Sequence, residues 1–217
     1  MESFRGCIYL MEVVMAFNDV LVSTVHQEWA RWGFSTSALH VKKKIVGKEG
    51  VEPYVGYVNE YWRAVNQPAR NGNSPYPWSA AFISFNFKRA GADGEFPYAA
   101  GHWDYCRDIV RSPKKFTKLS LHLPSQVAIE VGDVIWAARR GPQCPPPPKD
   151  AAAAFGDLKT GRWFCSHADI VVAKRSDEID VIGGNVSDSV TQTTYLTSKG
   201  RIVDPRQVWL GVIKNTI

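Results

Sequence analysis

An α+β fold is predicted by three observations. Apolar residues recur at helical spacing in several segments of the first half, short apolar runs fill much of the second half, and Gly, Pro, Asn and Ser cluster between them. Phe17 to Gly33 reads as an amphipathic helix, with Phe17, Val20, Leu21, Val25, Trp29 and Trp32 on one face and Asn18 in place to cap it. Lys42, Lys43 and Lys44 then fall on a loop. Pro53 to Asn66 is a second helix, opened by proline and striped by Tyr57, Val58, Tyr61 and Trp62.

The Asn71 to Pro77 segment is turn-forming and delivers the chain to Trp78 and Ser79. From Ser79 to Gly91, Phe82, Ile83, Phe87 and Ala90 repeat at helical spacing, with Pro75 and Pro77 ahead and Gly91 as the stop. A loop follows, and a further helix begins at about His102. Strands are expected at Val131 to Ala138, His167 to Ala173, Asp180 to Gly183 and Gln207 to Ile213. Between the first two lies an insertion, 139–165, whose Pro145 to Pro148 favour an extended polyproline segment near the mouth of any cleft beside His167. The expectation is one domain over 16–217, preceded by an unassigned extension, 1–15.

Three segments carry the chemistry: PWSAAFISF around Ser79, SHADIVVA around His167 and VIGGNVSDSV around Asn185. They offer a hydroxyl at a helix start, an imidazole at a strand start and an amide beyond the next strand. A weak nucleophile needs a nearby base, and the base needs a third group to fix its tautomer. A helix N-terminus adds unpaired N–H groups and positive potential that can hold an oxyanion.

Together with VGDVIWAA, these segments resemble the successive motifs of the NlpC-type and CHAP-type peptidoglycan hydrolases, over roughly Pro75 to the C-terminus. The nearest likeness is to a branch in which Trp-Ser replaces Trp-Cys. The resemblance implies a papain-like fold, with N-terminal helices packed on a central antiparallel sheet. It also implies a nucleophile at Ser79, a base at His167 and an orienting residue at or near Asn185. Asp169, on the same strand face as His167 and about 6–7 Å along the backbone, is a second orienting group. Trp78, His102 and Asp104 complete the expected cleft.

Two other readings compete with a serine-type amidase or endopeptidase. His102, Asp104, His167 and Asp169 would suit a divalent metal if they converged, giving a metal-dependent hydrolase on the same scaffold. A cell-wall-binding module that lost its reaction with its thiol is the third. Cys165 shares the strand face of His167 but is poorly placed to attack through it, and Cys106 reads as core packing beside His102. Neither displaces Ser79, and the favoured reading needs no cofactor.

A chain of 217 residues with 45% apolar content can fill a real core, and its net charge of +5 suits an acidic polymer such as the cell wall. No basic run or motif supports a nucleic-acid partner. Cys7, Cys106, Cys144 and Cys165 show no metal-type pair and no framework spacing, so disulfides are permitted but unforced. Residues 1–15 do not read as a Sec signal, and no stretch is long enough to span a bilayer. Wall-directed chemistry without a leader implies a protein made in the cytoplasm and exported by a dedicated secretion apparatus. It would act as an antibacterial effector with an immunity protein as partner, or serve in phage lysis.

Overall fold

The computed structural model describes residues 16–217. The extension at 1–15, the leader reading and Cys7 lie outside the described residues. Helix α1 spans Phe17–Arg31, followed by the short strand β1, Ser35–Ser37, and helices α2, Tyr54–Ala64, α3, Ser79–Arg89, and α4, His102–Arg111. Strands β2, Leu119–His122, and β3, Val134–Ala138, precede helix α5, Ala151–Thr160. Strands β4, Ser166–Lys174, β5, Glu178–Gly183, β6, Thr191–Ser198, β7, Arg201–Ile202, and β8, Trp209–Asn215, complete the chain. The fold is a mixed α+β one, with a large, mostly antiparallel sheet in the order β1-β6-β5-β4-β3-β8-β2 and β7 attached to β6. Among the described residues only the β1–β6 pair is parallel.

Period-two alternation distributes the strand residues between two cores. Val134, Trp136, Ala168, Ile170, Val172, Ile182, Leu210 and Ile213 join the helix-side cluster, where Trp32, Trp62, Trp78, Phe82 and Phe87 are buried. Ile135, Val171, Val181, Tyr195 and Val212 form a second cluster with Ile129 and Ile202. The helices are held in register by a buried polar chain. Trp32 Nε1 donates to the Tyr61 hydroxyl at 2.8 Å, that hydroxyl donates to Glu28 at 2.5 Å, and Arg89 reaches the same carboxylate at 3.1 Å. Because Glu28, Tyr61 and Arg89 come from α1, α2 and α3, this chain fixes the helix that opens with Ser79.

Several expectations change on contact with the fold. Asn18 does not cap α1, whose N-cap is Ala16; its amide oxygen instead accepts from Asn215 Nδ2 at 2.7 Å, tying the first helix to the last strand. The 139–165 insertion also holds a helix that the sequence did not announce. Pro145 to Pro148 lie outside regular structure, but α5 follows, capped by the Asp150 carboxylate and stopped by Gly161 in a left-handed conformation. A disulfide joins Cys144 to Cys165 across that insertion, with Cα atoms 5.5 Å apart, while Cys106 is a buried free thiol.

Closing a loop over a sequence separation of 21 residues restricts the unfolded chain. Replacing both Cys144 and Cys165 with serine is therefore expected to cost about 3 kcal/mol of stability. Denaturant unfolding of the variant against the parent reads this directly.

Candidate functional site

Ser79 is the first residue of α3, and the preceding Trp78 sets the entry of the chain. The Trp78 indole stacks on Trp32 with ring centroids 5.2 Å apart, and its Nε1 donates to Glu49. That packing leaves the Ser79 hydroxyl at the wall of a groove bounded by Ala100, Trp103, Phe164 and Cys165. Its side chain is almost wholly enclosed, so the protein dictates where the hydroxyl points.

The hydroxyl meets His102, not His167. Ser79 Oγ lies 2.6 Å from His102 Nε2, and His102 Nδ1 lies 2.5 Å from the Tyr105 hydroxyl. His102 opens α4 after Gly101, and a residue three positions on shares its helix face, which is why Tyr105 reaches the ring. Burial pushes the His102 pKa well below 6.5, and its neighbours His167 and Arg139 add to the effect. Burial also pushes the Tyr105 hydroxyl well up, with the nearby Cys106 and Asp169 adding to it. A neutral imidazole and a protonated phenol are the result. When the proton sits on Nδ1 and is donated to the Tyr105 oxygen, Nε2 is bare and accepts from Ser79, the state a general base requires.

The expected base occupies the next position in the site. His167 lies at the start of β4, and its Nε2 is 2.9 Å from Asp169 Oδ1. The His102 and His167 rings stand edge to face with centroids 5.4 Å apart. Of the two orienting groups expected from sequence, Asp169 holds His167, whereas Asn185 makes no side-chain hydrogen bond among the described residues. Asn185 has φ 58° and lines a second groove with His167 and Asp169. Arg139 and Arg140 border both grooves, so the two adjoin there as neighbouring arms of the site.

Close backbone approach makes this geometry possible. A Cβ on Gly183 would lie 1.7 Å from Asp169 Oδ1 and 3.2 Å from His167 Nε2. Gly183→Ala is expected to displace the Asp169–His167 pair and to lower any turnover that depends on it about a hundredfold, since misplacement by about 1 Å at a reacting centre costs that much. Steady-state kinetics alongside a melting curve would separate this from unfolding.

The metal set expected as an alternative does not assemble. Asp104 is committed to Arg107 at 3.2 Å, both His102 nitrogens face hydroxyls, and the Nε2 of His167 faces Asp169. Among the described residues, no group of three or more His, Cys, Asp or Glu side chains is placed to hold a metal ion. Sequence reasoning put His102 in the cleft and missed its partnership with Ser79. The spacing of His102 and Tyr105 on one helix face was the available signal.

No described helix is long and apolar enough to cross a membrane. Comparison with curated proteins and with solved structures finds no match. Residues 45–214 match a family described as uncharacterised proteins conserved in bacteria, DUF2272. That span holds Ser79, His102, Tyr105, His167 and Asp169, and covers most of the sequence. The chain belongs to the DUF2272 family.

Proposed function

We propose that this protein is a serine-type hydrolase of peptide or amide bonds with a papain-like arrangement, and that it acts on bacterial peptidoglycan. The observation that carries the reading is the Ser79 hydroxyl 2.6 Å from a buried neutral imidazole, on the wall of a groove and at the start of a helix. His102 takes the hydroxyl proton as Oγ attacks the carbonyl carbon. Backbone N–H groups of the first turn of α3 receive the developing oxyanion. The His102 imidazolium then returns its proton to the leaving amine, and water releases the acyl group from Ser79 by the same route.

His167 and Asp169 act together beside that pair. Asp169 fixes one orientation of the His167 ring and places a carboxylate near Tyr105, whose hydroxyl faces His102 Nδ1. The order of motifs along the chain supports peptidoglycan as substrate, and the net charge of +5 suits its carboxylates. The Cys144–Cys165 disulfide supports action outside the cytoplasm, in the periplasm or wall of a target cell, since such bonds persist in oxidising compartments. Delivery by a secretion apparatus and restraint by an immunity protein, or a part in phage lysis, belong to the same proposal.

Purified protein incubated with sacculi should release soluble fragments, and mass spectrometry of those fragments names the bond cut. Retention on sacculi with nothing released would favour the wall-binding reading and sink the hydrolase.

A further inference from the structure

Arg139 follows β3 directly, and its backbone N–H donates to Cys165 O at 3.0 Å, so the root of its side chain is anchored to the lead-in of β4. The side chain borders both arms of the cleft and is half-buried. Among the described residues it makes no hydrogen bond and no ion pair, whereas Arg31, Arg89, Arg107, Arg162, Arg175 and Arg206 each hold a carboxylate. Glu49 is within electrostatic reach but is engaged with Trp78 Nε1. A guanidinium drawn partly out of water without an anion has lost hydration and gained nothing in exchange. Such a group is poised for a carboxylate, whose two oxygens match its planar fork.

The surroundings agree with that assignment. Asn185 lines one of those arms, offering amide donors, the Asp169 carboxylate there is engaged by His167, and Arg140 adds positive charge at the exposed rim. The arm holding Ser79 shares Arg139 and Arg140 and adds Trp103, Phe164 and the exposed Trp163 to its walls. A bound chain therefore meets apolar surface and positive charge together in the groove that holds the Ser79 hydroxyl.

We propose that Arg139 anchors an anion subsite, which takes a carboxylate group of the substrate beside Ser79 and His102 and so decides which peptides the cleft accepts. The subsite deepens the hydrolase reading given above. Its test reads binding rather than turnover, so the two can fail separately.

The test uses Ser79→Ala protein, with acetate titrated in at constant ionic strength against chloride. Proton–nitrogen spectra follow the Arg139 Nε–H and the His102 ring. Saturable shifts at both are expected, weakened about tenfold or more in Arg139→Gln, as for loss of a charge-assisted hydrogen bond, and retained in part in Arg139→Lys. Melting curves confirm that each variant is folded. A response that never saturates, one that survives intact in Arg139→Gln, or tighter binding of inorganic phosphate than of acetate would overturn the carboxylate subsite. Saturable acetate binding without any binding of soluble muropeptides would uphold the subsite and remove peptidoglycan as its substrate.

Discussion

Ser79→Ala is expected to reduce release of fragments from sacculi by at least about a thousandfold, because removing the attacking atom removes the covalent route and not merely one contact within it. The fold should survive. Ser79 contributes no cap to α3, and its hydroxyl makes a single side-chain hydrogen bond, to His102, at the wall of a groove where water can replace it. A melting temperature near the parent's together with lost activity is the combination that identifies a nucleophile. Undiminished activity would show that Ser79 is a structural residue and would end the proposed mechanism. Ser79→Cys tests the same position from the other direction. A thiol ionises more readily than a hydroxyl and should be activated by the same imidazole, so turnover should persist or rise.

His102→Ala should cost about as much, at least about a thousandfold, since groups acting as one unit fail together. Acid should reproduce the loss in the unmodified protein. The base must be neutral to accept a proton, and burial, His167 and Arg139 hold its pKa well below 6.5. Activity governed by this group should therefore remain level down through pH 6.5 and fall only in more acid solution. Stability follows the same group. The unfolded chain binds a proton on this residue near pH 6.5 and the folded chain resists it, so stability contributed by neutral His102 is full above 6.5. It drains away as pH falls towards the depressed folded value. Pairing rate profiles with denaturant midpoints across this range checks both. An activity midpoint at or above 6.5 would instead point to a base in an ordinary environment. His167→Gln separates the two histidines, because it should leave the Ser79–His102 hydrogen bond in place while removing the ring that Asp169 holds.

Much of the helical layer was legible because its apolar stripes are strong. The ranges expected for α1, α2 and α3 agree with the structure to within a few residues, and α4 starts at His102 as anticipated. Strands β3, β4, β5 and β8 were visible as aliphatic runs. Strand β6 was not, because Thr191, Thr193, Thr194 and Thr197 are buried yet read as polar, and a period-two pattern of threonines carries little hydropathy signal. Strand β1 is three residues long and pairs in parallel with β6, more than 150 positions away, so no local pattern announces it. Within the site, Ser79, His167 and Asp169 stood out because each lies near the start of a well-marked element. The partnership of Ser79 with His102 did not, since it depends on how α3 and α4 each pack against β4, an arrangement set by tertiary packing. The disulfide was hidden for a similar reason, as four cysteines allow several pairings and only the fold brings Cys144 to Cys165.

The stacking of Trp32 beneath Trp78 and the seating of β1 along β6 both come from residues that precede position 45, where the family match begins. Trimming the protein to the matched span would strip the indole that braces the helix opening with Ser79 and bare the outer edge of β6. A bared edge of that kind recruits other chains, so the shortened protein would tend to self-associate before its chemistry could be assayed. For this chain the unit to be expressed is thus larger than the span that matches the family.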